Sequence, residues 1–172
     1  MTLIYEVRAF LVGSDPAIFR ILQIPSYFNL WLVHEVFQAS FAWENFHRHF
    51  FKPSNGIRYE NEDKTSLKDV FSSNKTLIYV YDLGNAWTVE VEKIREFESD
   101  EHENYPSCVD GSRKSPPEDS GGIVGYQMAL DLLTGNGSRN AYLLYDWYGD
   151  SFNPDDFSAE DINQKLTSLA FR

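Results

Sequence analysis

The chain has 172 residues, 42% of them hydrophobic and 16% aromatic, which excludes a disordered tract and any need for a stapled scaffold, since folding at this length buries about 70% of the surface the unfolded chain exposes. Its 26 acidic residues against 15 basic ones give a formal charge of -11, a field that repels phosphate backbones and counts against direct binding of nucleic acid. The single cysteine, Cys108, excludes an intrachain disulfide and a four-ligand cysteine zinc site, and fits a reducing compartment.

Residues 3–12 alternate as a strand, with Ile4, Glu6, Arg8 and Phe10 opposite Tyr5, Val7, Ala9 and Leu11. Glu6 and Arg8 interrupt the apolar pattern that a signal peptide keeps continuous. No apolar run approaches the ~20 residues needed to span a bilayer. The expectation is one domain over residues 1–172, cytoplasmic (or cytoplasmic and nuclear in a eukaryote), without membrane association.

Gly13-Ser14-Asp15-Pro16 supplies turn chemistry, and residues 18–24 resume an extended pattern that Pro25 ends. An opening antiparallel hairpin results. Asn29 is an N-cap for a helix through Ala42, with Leu30, Val33, Phe37 and Phe41 on one apolar face and His34 at its surface or core edge. Residues 46–51 read as a short strand that places His47, His49 and Phe51 on one side.

Turns occupy Lys52 to Lys64, and Leu67 to Phe71 makes a short helix. Thr76 to Asp82 and Trp87 to Ile94 pair as strands across Gly84-Asn85. Glu96 to Glu118 shows no periodicity and reads as a long loop. A helix follows at about 124–134, stopped by Gly135-Asn136-Gly137. A last helix starts from Ser158 with Asp161 three residues on, and buries Ile162, Leu166 and Leu169. The fold class is α+β: an opening β-hairpin, a helix, a mixed or antiparallel sheet in a β-grasp-like order, and two C-terminal helices.

Five blocks carry a family resemblance: Arg20-Ile21-Leu22 with Ile24-Pro25; Leu32-Val33-His34-Glu35-Val36 through Trp43 to His47-Arg48-His49-Phe50-Phe51; Tyr79 to Trp87; Cys108-Val109-Asp110-Gly111 with Pro116 to Gly122 and Gly125-Tyr126; and Trp147-Tyr148-Gly149 with Phe152 to Phe157 and Ile162 to Leu166. In order and spacing they resemble the plasmid Ri open-reading-frame-three-like family, also seen as an insertion-element passenger protein. The resemblance implies an α+β fold and no particular reaction. Three positions depart from the family pattern. Asn85 stands for an Asp, Val89 for a His and Ser120 for a Cys, and each swap removes an ionisable or metal-binding group.

Candidate site residues follow from residue type and position. His47 and His49, with Glu118 or Asp119, are candidate acid–base groups. Asp82, Asn85, Trp87 and Tyr126 are candidate ligand-binding residues. A His-x-His pair without a third ligand is not a metal site, so neither metal nor cofactor is expected. Asp82 equally suits a turn corner, and Trp87 the core. Pro116-Pro117-Glu118-Asp119 with Gly121-Gly122 shapes either a pocket wall or a helix lead-in. Cys108 reads as an ordinary thiol. Walker, Rossmann and Gly-x-Ser-x-Gly motifs are missing from the sequence. Two readings remain: a non-enzymatic binding or accessory module for a protein partner or small molecule, and a small cofactor-free hydrolase or isomerase. Side chains within hydrogen-bond reach favour the second; separated side chains favour the first.

Overall fold

A computed structural model describes residues 1–134, 148–149 and 152–169. Strands β1 (Leu3–Leu11), β2 (Phe19–Pro25), β3 (His49–Pro53), β4 (Thr76–Tyr81), β5 (Trp87–Glu98) and β6 (Ser107–Ser112) form one sheet in the order β3-β4-β5-β1-β2-β6. Each neighbouring pair is antiparallel, so the sheet is antiparallel rather than mixed. Among the described residues the helices are α1 (Leu30–Phe41), α2 (Leu67–Ser73), α3 (Gly122–Thr134) and α4 (Ala159–Ser168). The expected stop at Gly135-Asn136-Gly137, and Trp147, lie outside the described residues.

The alternation read in the sequence decides which face of the sheet is dry. Tyr5, Val7, Ala9 and Leu11 of β1 join one apolar cluster with α1 residues Leu30, Val33, Phe37 and Phe41. Helices α2, α3 and α4 add Leu67, Val70, Tyr126, Ile162 and Leu166 to the same cluster. On the opposite face Glu6 accepts hydrogen bonds from Gln23 and Arg95, which makes its burial tolerable.

Local chemistry sets the helix ends. The Asn29 side chain accepts the Leu32 N–H at 2.9 Å, and Ala42 closes α1 in the left-handed region at φ 55°. Ser66 and Asp69 make a reciprocal capping box on α2. Ser158 caps α4 through the Asp161 N–H at 3.1 Å.

Three expectations need correction. The strand expected over 46–51 begins only at His49, because its pairing with β4 starts at His49 opposite Tyr81. The stretch expected to be a loop from Glu96 contains the end of β5 and all of β6. As an edge strand, β6 fully buries only Cys108 and so shows no apolar alternation. Finally, His34 is wholly buried. It sits one helical turn from Gln38, and both side chains reach the Tyr79 hydroxyl across the core.

Candidate functional site

The turn joining β4 to β5 is built around Asp82. This residue takes a left-handed backbone (φ 57°), a conformation Asp tolerates through local hydrogen bonds. Its Oδ1 accepts the Gly84 N–H at 3.0 Å, and its Oδ2 accepts from the Asn85 side-chain amide at 2.6 Å. Burial raises the Asp82 pKa, but the hydrogen bonds from Asn85 and Gly84 outweigh it, and the net direction is down. The Asp82 carboxylate therefore stays ionised at neutral pH.

The segment from Pro116 to Gly122 lies directly on this turn. Trp43 donates its Nε1–H to the Pro116 carbonyl at 3.3 Å, and its ring stacks on Tyr81 at 5.1 Å. Gly122, at φ 68°, approaches the turn so closely that a Cβ would stand 2.5 Å from the Asn85 carbonyl oxygen. The two glycines allow the chain to lie against the turn, and Asp119 is carried to the edge of it.

His47 precedes β3 and fills the space between. Its Nε2 is 3.1 Å from Asp119 Oδ1, and its Nδ1 is 3.8 Å from Asp82 Oδ1. Although Nε2 is buried, the approach of Asp119 lacks the alignment of a hydrogen bond. Ligand atoms of His47, Asp82 and Asp119 all lie within 4.8 Å of one another. A first-row divalent ion suits this mixed set of one imidazole and two carboxylates. Asp119 is 71% exposed, so the cluster opens to solvent on one side.

The remaining candidates divide. Glu118 joins the rim of the cluster, where it accepts a short hydrogen bond from the Tyr81 hydroxyl. Burial, then this contact with Glu118, holds the Tyr81 pKa well above the ordinary phenol range. Asn85 serves as the donor that orients Asp82. His49 is not part of the cluster. Its ring stacks on His34 at 3.6 Å, and its Nε2 meets Glu62 Oε2 at 2.8 Å. The separation follows from the late start of β3, since the period-two geometry expected to align His47 with His49 does not reach His47.

Trp87 and Tyr126 are buried in the apolar cluster and are not part of the group at the turn. Cys108 is buried as well, and desolvation pushes its thiol up to about 11. Sequence reasoning missed Tyr81 as a polar member of the site. Its place two residues beyond the core residue Tyr79, at the end of β4, is the signal that puts its hydroxyl near the turn.

Comparison with known proteins follows the same outline. The family model described as plasmid pRiA4b ORF-3-like protein matches residues 3–161. The uncharacterized protein y4hQ of Sinorhizobium fredii is 27% identical over 180 residues, which cover 97% of this chain and 92% of that protein. A crystal structure of a protein of unknown function, MM3350 from Methanosarcina mazei Go1, is similar with a TM-score of 0.86 and 32% identity. That likeness covers 94% of this chain and 98% of the other.

Proposed function

The chain belongs to the plasmid pRiA4b ORF-3-like protein family, and from that premise and the cluster at the β4–β5 turn we propose a non-enzymatic binding module for a divalent cation. Its ligands are His47, Asp82 and Asp119. The observation that carries the reading is the convergence of their ligand atoms within 4.8 Å. Bonds of about 2.0–2.2 Å to zinc separate neighbouring ligand atoms by roughly 3–4 Å, so a small rotation of exposed Asp119 closes the set. An imidazole among carboxylates suits Zn²⁺ or Mn²⁺ better than Ca²⁺ or Mg²⁺, which prefer oxygen alone. Asn85 and Gly84 supply the outer hydrogen bonds that fix a ligating carboxylate. The expectation that no metal binds rested on His47 paired with His49, a pair replaced here by a different three-residue set.

The test is a titration of chelator-treated protein with ZnCl₂ and with MnCl₂, followed by calorimetry and, for manganese, by loss of the free-ion spin-resonance signal. One ion per chain is expected, with affinity weakened about tenfold or more in Asp82→Asn and in His47→Ala. Absence of saturable binding, or affinity unchanged from the parent in both variants, removes the reading.

A second reading rests on the 3.1 Å approach of His47 Nε2 to Asp119. Without a metal the same groups form an acid–base pair for a small hydrolase or isomerase. The histidine resonances separate the two readings. If one equivalent of Zn²⁺ abolishes the His47 titration, the cation site holds; if the titration is unchanged, the acid–base pair is favoured.

A further inference from the structure

The surface also opens into a cavity of about 340 Å³, between the C-terminal end of α1, residues 113–115 and the first turns of α4. Arg20 lies in its wall and is only 3% exposed. A buried cation ordinarily has a carboxylate beside it. Among the described residues Arg20 has none. Its guanidinium donates instead to the carbonyls of Phe19, Ser40 and Ser112 and to the Ser115 hydroxyl, at 2.7–3.1 Å. The Phe41 and Phe157 rings lie 5.3 Å and 5.2 Å away. These four bonds use one N–H of Nε, two of NH1 and one of NH2. One of the five guanidinium donors is left over.

The rest of the lining repeats the sign. Arg113, Lys114 and Lys165 join Arg20, against Asp156 and Asp161. Asp155 pairs with Arg113, so the other three cations less the two carboxylates leave an excess of one positive charge in a chain whose net charge is -11. Arg113 is already engaged, by Asp155 and by the Tyr126 hydroxyl, so the donor left over belongs to Arg20. Neutral acceptors position the Arg20 fork without neutralising it, and burial without a counter-charge pulls its pKa down to about 10. An oxyanion in the cavity supplies the missing charge and accepts the donor that Arg20 has left over.

We propose that this cavity binds a dianionic phosphate group, free or carried by a small metabolite, with Arg20 as the buried anchor and Lys114 and Lys165 as rim charges. The volume admits a small organic body beyond the phosphate. A fork-shaped guanidinium also suits the geometry of a tetrahedral oxyanion. The site is separate from the His47 cluster, and the proposal does not depend on a metal there.

The test uses the full chain at low ionic strength. Equilibrium dialysis with inorganic phosphate, and with malonate as a dicarboxylate, gives binding directly, and a thermal melt reports the linked stabilisation. Saturable phosphate binding below about 10 mM is expected, weakened about tenfold or more in Lys114→Gln with Lys165→Gln. Both substitutions lie at the rim and leave the Arg20 hydrogen bonds in place. Their circular dichroism and melting temperature without phosphate should match the parent, so that a fall in affinity reads the site rather than the fold. No saturable phosphate binding, equal binding by the double variant, or binding of malonate but not phosphate each overturns the proposal.

Discussion

At the residue scale the most informative side chain is His34, because its burial is complete and its polar chemistry is resolved. Asn45 Oδ1 can only accept, so His34 Nε2 carries a proton and donates to it at 2.9 Å. Nδ1 then accepts from the Tyr79 hydroxyl at 2.7 Å, and Tyr79 in turn accepts from Gln38 at 2.9 Å. Only a neutral imidazole satisfies all three contacts. Burial, then the neighbouring His49, accordingly lowers the His34 pKa from 6.5 to about 4. Between those values the unfolded chain binds a proton that the folded chain excludes, so stability falls as pH drops from 6.5 toward 4 and levels off below. Urea melts should show a loss of about 2 kcal/mol between about pH 7 and about pH 5, much reduced in His34→Gln. An unchanged midpoint across that span contradicts a neutral buried His34. Trp87 makes a simpler case. It is 1% exposed within the core, and Trp87→Ala should cost roughly 3–5 kcal/mol in a denaturant melt. A loss below about 1 kcal/mol means that its space refills.

At the scale of elements, the edge strand β6 shows how a segment without sequence pattern is held. Its inner edge pairs with β2. Its outer edge would expose the Cys108 backbone, but Asn163 of α4 uses its amide as a surrogate strand. The Asn163 Oδ1 accepts the Cys108 N–H at 2.7 Å, and its Nδ2 donates to the Cys108 carbonyl at 2.9 Å. Asn163→Ala leaves both backbone groups part-buried and unpaired, and should cost about 1–3 kcal/mol by denaturant melt, with faster amide exchange at Cys108. If the exchange rate is unchanged, α4 does not hold the edge. The same contrast explains what was legible in the sequence. The β1–β2 and β4–β5 pairs bury one face each, so alternation revealed them, and Asn29 and Ser158 sit at caps that local chemistry dictates. Strand β6 was illegible because side-chain to backbone bonds from a distant helix hold it, and such bonds leave no periodic trace. The site was half legible. His47, Asp82, Glu118 and Asp119 were identifiable by type and loop position, but their grouping depends on Gly122 docking against Asn85. His49 was misgrouped because two residues of register decide which cluster a strand residue joins.

At the scale of the whole molecule, the placement of the basic residues matters more than their number. Arg58, Lys93, Arg95 and Arg113 each form an ion pair with a carboxylate, and Arg20 is buried. The positive excess at the Arg20 cavity lies in a concavity between α1, residues 113–115 and α4, a shape that suits a small anion better than the rod of a duplex. Phosphate contact along DNA draws its free energy from counterions released by a row of exposed cations. A chain at -11, with Arg58, Arg95 and Arg113 paired and Arg20 buried, presents no such row among the described residues. A recombinase reading needs a nucleophile framed by several free arginines, whereas Cys108, the lone thiol, is buried and held as the neutral thiol. The expected outcome in a fluorescence anisotropy titration is no binding to generic duplex DNA tighter than about 10⁻⁴ M at physiological salt. Micromolar binding that weakens steeply with added salt would require a basic surface that the described residues do not present, and would move the protein into the nucleic-acid class. The anion cavity supplies an internal control: competition by inorganic phosphate at low millimolar levels distinguishes a weak end-on contact at Arg20 from true duplex recognition, which a single phosphate displaces poorly because many contacts share the load.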